Sequence, residues 1–205
     1  MPFDYPSSPH VRAHGPFGYT DYKKYKPWLR DEFEFRCVYC LTRETWQSAG
    51  AWLFGVDHVL PKSDPNYEKL TCEYNNLAYC CNACNSRKGV SRILDPCVVS
   101  LSNHLQIIET GEARSLSAEG ERLIMKLKLN ASEIVRGRAK IMRLHKLSIE
   151  NPESETAKIF REYYACYPKD LPDLAGLQLS TNRKPEGVEN SHLARRNRGE
   201  LPDTY

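Results

Sequence analysis

Two Cys-x-x-Cys pairs, Cys37-Val38-Tyr39-Cys40 and Cys81-Asn82-Ala83-Cys84, stand out among the eight cysteines of this 205-residue chain. Each pair can aim two thiolates from one tight turn, and two such knuckles complete the tetrahedral sulfur shell of a structural zinc ion. A disulfide framework would suit a small secreted domain, but the opening MPFDYPSSPHVRAHG lacks the basic-then-apolar pattern of a secretion signal. A reducing, cytoplasmic setting is therefore expected, with Zn²⁺ held by Cys37, Cys40, Cys81 and Cys84. Cys80 rivals Cys81 as a ligand, and the two-residue spacing to Cys84 favours Cys81. Residues 41–80 separate the knuckles, well beyond the ~15–20 residues of a simple zinc ribbon. Something is inserted between them.

The insert and its flank carry further chemistry. Asp57-His58 closes a short apolar run, Asn75-Asn76-Leu77 follows, and Asn85-Ser86-Arg87-Lys88-Gly89 comes straight after the second knuckle. Taken singly, an Asp-His pair is more often a surface feature than a catalytic one. In this order, however, Cys-x-x-Cys, Asp-His-x-x-Pro, Asn-Leu and Cys-x-x-Cys-Asn-x-x-Lys resemble the zinc-stapled HNH endonucleases, over roughly residues 31–90. The resemblance implies the ββα-metal fold, in which a hairpin and a helix converge on one divalent cation, and it implies roles by position. Asp57 matches the first metal ligand, and His58 the general base that activates the attacking water. Asn76 matches the middle residue that holds the loop and orients the histidine; Asn75 is the alternative, less well placed relative to the second knuckle. Asn85 matches the second metal ligand, and Lys88 a basic helix position suited to contacting phosphate. The implied activity is hydrolysis of DNA phosphodiester bonds by an endonuclease or nickase. The implied setting is a defence or mobile-element system with protein partners.

Elementary chemistry agrees with these roles. Phosphodiester hydrolysis needs a nucleophile, charge stabilisation on the transition state and help for the leaving alkoxide. One carboxylate and one amide oxygen make a hard, open site that favours Mg²⁺ or Mn²⁺ over zinc. A histidine with an ordinary pKa of ~6.5 can be neutral near pH 7 and accept a proton from water, once a backbone carbonyl or the Asn76 side chain fixes its tautomer. The motif does not tell DNA from RNA, whose 2′-hydroxyl would be sensed by other groups; DNA is the expected partner.

The elements that must position these residues are readable in outline. Trp52-Leu53-Phe54-Gly55-Val56 suits a strand, Pro61 and the Lys-Ser-Asp-Pro that follows mark its exit into a loop, and a short helix over 82–87 begins at the second knuckle. The fold expected is α+β: an irregular arm over residues 1–30, a small ββα-metal core with a four-cysteine zinc site over 31–95, a mainly helical region over 96–167 and an irregular tail over 168–205. In the helical region Ser117 can cap a helix carrying Leu123, Ile124 and Leu127, either Asn130 or Ser132 can cap the next, and Asn151-Pro152 reads as a further start. In the helix over 132–148, Ile134, Ile141, Met142 and Leu144 share one broad face, while Arg136, Lys140 and Arg143 form a basic stripe on the other. Formal net charge is only +3, so grip on nucleic acid must come from local clusters: that stripe, Lys62, Arg87 and Lys88, with Arg195-Arg196-Asn197-Arg198 in the tail. No apolar run is long enough to cross a bilayer.

Overall fold

The computed structural model describes residues 2–177, 179 and 186–205; residues 178 and 180–185 of the expected tail lie outside the described residues. The N-terminal stretch is irregular until a 3₁₀ turn, Tyr22–Tyr25, started by Asp21, whose carboxylate accepts the Lys23 N–H at 2.9 Å. Helix α1, Lys26–Glu32, follows with Pro27 in its first turn, where the missing N–H costs nothing. The helix thus straddles the boundary drawn at residue 30. This stretch supplies Phe3, Tyr5, Tyr19, Tyr25, Trp28 and Leu29 to the main core. It is also tied by polar groups: Glu32 accepts the Ala13 and His14 N–H groups at 2.8 and 3.1 Å, and His14 Nε2 lies 2.9 Å from Asp31.

After the first knuckle the chain reaches strand β1, Phe54–His58, which pairs antiparallel with β2, Leu77–Cys81, so that Asp57 faces Ala78 and His58 faces Leu77. The strand expected from Trp52 begins two residues later. Trp52 and Leu53 belong to a 3₁₀ turn, Gly50–Leu53, and Trp52 is 87% exposed; an apolar run signals burial, and here only Phe54 is buried, with Gly55 and Val56 half-buried. Helix α2, Asn82–Lys88, springs directly from β2, with the Cys81 thiol in the N-cap position. Hairpin and helix are therefore contiguous.

Two short strands, β3 at Leu105–Ile107 and β4 at Ala113–Ser115, form a second hairpin within the region expected to be helical; three residues are too few for alternation to register. Helix α3, Ala118–Leu127, starts where expected, with Ser117 Oγ accepting the Gly120 N–H at 3.1 Å. Helix α4, Ser132–Glu150, has Ala131 at its cap instead of Asn130 or Ser132. The Asn130 side chain is engaged elsewhere, bonding both backbone groups of Ala113 at 2.7 and 2.9 Å. Asn151-Pro152 ends α4 instead of opening its successor. Asn151 accepts the Ser154 N–H, and Ser154 caps helix α5, Glu155–Ile159, which runs into a π turn, Phe160–Tyr164.

In α4, Ile141 and Met142 are buried as expected, and Arg136, Lys140 and Arg143 are exposed. Arg138 is also buried, donating to the carbonyls of Gly111 and Leu129 at 3.3 and 3.0 Å. The tail returns across the arm: Gly187 (φ 82°) comes so close to Ala13 that a Cβ would lie 1.8 Å from its carbonyl oxygen, which demands glycine. Helix α6, His192–Asn197, follows with Ser191 as cap, so Arg195 and Arg196 sit on a helix and not in irregular chain. Among the described residues, no helix is long and apolar enough to cross a membrane.

Candidate active site

The two knuckles meet. The ligand atoms of Cys37, Cys40, Cys81 and Cys84 all lie within 4.8 Å of one another, and Cys40 Sγ is 3.7 Å from Cys81 Sγ. A tetrahedron with Zn–S bonds of ~2.3 Å has edges of ~3.8 Å, so the cluster fits a zinc ion. The first knuckle is closed by Leu41 N–H to the Cys37 carbonyl and Cys37 N–H to the Thr42 carbonyl, both at 2.9 Å. It is docked on β2 by Val38 N–H to the Tyr79 carbonyl at 3.1 Å. Cys80 is buried outside the cluster, because consecutive strand residues point to opposite faces.

His58 ends β1 and is 7% exposed. Its Nε2 lies 3.0 Å from the Thr71 carbonyl oxygen. A carbonyl only accepts, so the ring proton sits on Nε2 and the lone pair on Nδ1. Burial pushes the imidazole pKa below its ordinary value; the Thr71 carbonyl opposes this, and the charges of Lys62 and Lys88 add to it. The neutral ring, able to take a proton, is thereby favoured. The Tyr22 ring stands edge-on to His58 with centroids 4.6 Å apart, and Lys62 Nζ donates to Tyr22 Oη at 2.9 Å.

Among the described residues, the Asn76 side chain makes no hydrogen bond to His58. Its Oδ1 accepts the Leu60 N–H at 2.8 Å, and its Nδ2 donates to the carbonyls of Leu60 and Leu70, both at 3.1 Å. It thereby closes the loop that carries Thr71, and the carbonyl on that loop orients the imidazole.

Asp57 is 2% exposed, and each carboxylate oxygen has a donor: Lys88 Nζ at 3.1 Å from Oδ1 and Tyr39 Oη at 2.6 Å from Oδ2. Burial raises its pKa; the Lys88 charge and the Tyr39 hydroxyl work against that. The His58 backbone N–H also acts on this carboxylate; with about four lone-pair sites, room for a cation is left. Asn85 anchors its Nδ2 on the Val56 carbonyl at 3.3 Å, and its Oδ1 accepts no hydrogen bond among the described residues. One carboxylate and one free amide oxygen, held by adjacent elements, fit a hard divalent cation.

Lys88 corrects the sequence reading. It is wholly buried, bonded to Asp57 and to the His58 carbonyl at 2.6 Å, and cannot reach phosphate. Its helix face is the one packed on β1, which charge alone does not reveal. Arg87 is half-buried, donating to the Leu127 carbonyl at 3.2 Å and lying 3.6 Å from Glu133. Lys62 is exposed beside His58. Sequence reasoning missed three contributors, Tyr22, Tyr39 and the Thr71 carbonyl. A tyrosine between two zinc ligands is itself a signal, since a buried phenol needs a partner; a backbone carbonyl leaves none.

Residues 37–91 match the family model for HNH endonuclease. This stretch is an HNH endonuclease domain. Over 77 residues the chain is 34% identical to the Septu protein PtuB of Bacillus thuringiensis, covering 35% of this chain and 28% of that relative. No solved structure matches the chain. The HNH domain implies nuclease activity on nucleic acid and use of a divalent metal, and the cluster of four cysteines fits a zinc staple.

Proposed function

We propose that this protein is a metal-dependent HNH endonuclease or nickase that hydrolyses DNA phosphodiester bonds. The observation that carries the reading is the Thr71 carbonyl on His58 Nε2, which leaves Nδ1 as the free base of the ring. His58 Nδ1 takes a proton from the attacking water, and the resulting imidazolium keeps its Nε2–H on the Thr71 carbonyl. Asp57 and Asn85 would hold Mg²⁺ or Mn²⁺, which when bound supplies charge stabilisation to the phosphate and the leaving oxygen. Asn76 keeps the loop closed so that Thr71 stays in place. Lys62, exposed beside His58, suits a phosphate contact, and the exposed stripe Arg136, Lys140 and Arg143 suits a more distant grip on the backbone.

The division drawn from the sequence belongs to the proposal, with catalysis in 31–95 and the helical region adding nucleic-acid contacts. So do protein partners of a defence or mobile-element system. The test incubates zinc-loaded protein with labelled duplex DNA, single-stranded DNA and RNA in Mg²⁺. Cleavage of DNA that falls by ~100-fold or more in His58→Ala, the scale for loss of a general base, is expected. A folded, zinc-loaded sample that cuts no DNA refutes the proposal, and normal turnover by His58→Ala removes the histidine from it.

A further inference from the structure

The two oxygens of Asp57 are held by residues that hang from the two zinc knuckles. Tyr39 lies inside the first, between ligands Cys37 and Cys40, and reaches Asp57 Oδ2 at 2.6 Å; Lys88 lies one turn beyond Cys84 on α2 and reaches Oδ1 at 3.1 Å. Both partners are 0% exposed and Asp57 is 2% exposed, so none of the three is held in place by solvent. Position 39 cannot move without its flanking ligands, because one peptide unit joins Tyr39 to Cys40 and two join it to Cys37. The Val38 N–H bond to Tyr79 pins the same turn to β2.

From this arrangement we infer that Tyr39 is a positioning residue, through which the zinc staple sets the orientation of the Asp57 carboxylate and hence the affinity of the catalytic cation site. The inference rests on the reading of Asp57 as a cation ligand. A carboxylate turns freely about its last bond, and a short charge-assisted hydrogen bond from a rigid phenol fixes which lone pairs face outward. The Lys88 ammonium, bonded to Asp57 and to the His58 carbonyl, would not do this alone, since it is a rotatable point charge that does not choose among a carboxylate's lone pairs. The zinc therefore acts on the cation site by a route other than the peptide link from Cys84 to Asn85. Removing one hydroxyl interrupts that route while all four thiolates stay in place.

The test measures Mn²⁺ binding by electron paramagnetic resonance on zinc-loaded, DNA-free protein, comparing wild type, Asp57→Ala and Tyr39→Phe. Mn²⁺ binding should be abolished in Asp57→Ala and weakened about 10-fold or more in Tyr39→Phe, the usual cost of losing a partner of a metal ligand. One zinc per chain should be retained in both. Wild-type affinity in Tyr39→Phe overturns the inference; Mn²⁺ binding that survives Asp57→Ala sinks the underlying site reading instead. Should Tyr39→Phe lose its zinc, the wild-type protein labelled with ¹³C-tyrosine decides. The Tyr39 Cζ resonance should shift on adding Mg²⁺ in wild type and stay still in Asp57→Ala, and an unmoved wild-type resonance overturns the inference.

Discussion

Asn76 and Leu60 exchange two hydrogen bonds, the Leu60 N–H to Asn76 Oδ1 at 2.8 Å and Asn76 Nδ2 to the Leu60 carbonyl at 3.1 Å. The side chain thus imitates a strand neighbour at the mouth of the loop, and a third bond to the Leu70 carbonyl reaches across it. Thr71, whose carbonyl holds His58, is the next residue.

Replacing Asn76 by Ala leaves the Leu60 N–H and carbonyl without this partner in a half-buried place, while the Leu70 carbonyl keeps the Glu73 N–H, which should cost about 1 kcal/mol or more of stability. Urea unfolding should show the loss with zinc content unchanged, and cleavage should fall because the Thr71 carbonyl is no longer held. An unfolding midpoint equal to wild type would show that the loop closes without this side chain.

The two metals should separate by mutation. Cys84→Ser breaks the sulfur shell and should release the zinc, taking the fold of the domain with it, since metal binding here is folding energy. Asp57→Ala should keep the zinc and lose activation by Mg²⁺ or Mn²⁺. Elemental analysis of both variants checks this, and equal zinc loss in the two would mean that the sites are not distinct.

Stability should depend on pH through the arm. Burial disfavours the charged His14 ring, but its hydrogen bond and charge pairing with Asp31 outweigh this and raise its pKa. Burial likewise works against the Asp31 charge, and the bonds from His14 and His192 overcome it and lower its pKa. The His14 contribution is complete below its unfolded value and lost as pH rises through the raised one. The Asp31 contribution is present above its unfolded value and lost as pH falls through the lowered one. Both are in force between about pH 4 and pH 6.5, the unfolded values. Melting temperatures of wild type and His14→Gln should therefore differ more at about pH 5.5 than at about pH 9; a gap independent of pH would show that the ring acts by packing alone.

The basic stripe on α4 can be tested as a unit. Changing Arg136, Lys140 and Arg143 to Gln should weaken binding of a His58→Ala protein to duplex DNA, roughly uniformly across sequences. It should also flatten the log–log salt slope by about 3 units, near 0.9 per phosphate. Unchanged affinity and slope would mark the stripe as solvated, and Lys62 would become the leading contact.

What the sequence determined by itself was the inventory of chemistry. Zinc ligation is local: two residues between cysteines set the bite of each knuckle, so Cys37, Cys40, Cys81 and Cys84 could be named from spacing, and they do converge. The helix start at Ser117 and the basic and apolar faces of α4 were legible for the same reason, because caps and 3.6-residue periodicity act over a few residues. The tertiary structure alone decided how the groups are held. Lys88 looked like an exposed cation until β1 packed Asp57 against its helix face. The His58 tautomer depends on a carbonyl 13 residues away, and Tyr22 reaches His58 from an arm with no pattern to announce it. Asn130 proved a clasp on Ala113 and not a cap. Each of these rests on contacts between segments distant in sequence, where packing and satisfaction of buried polar groups choose among partners, and no periodicity along the chain records that choice.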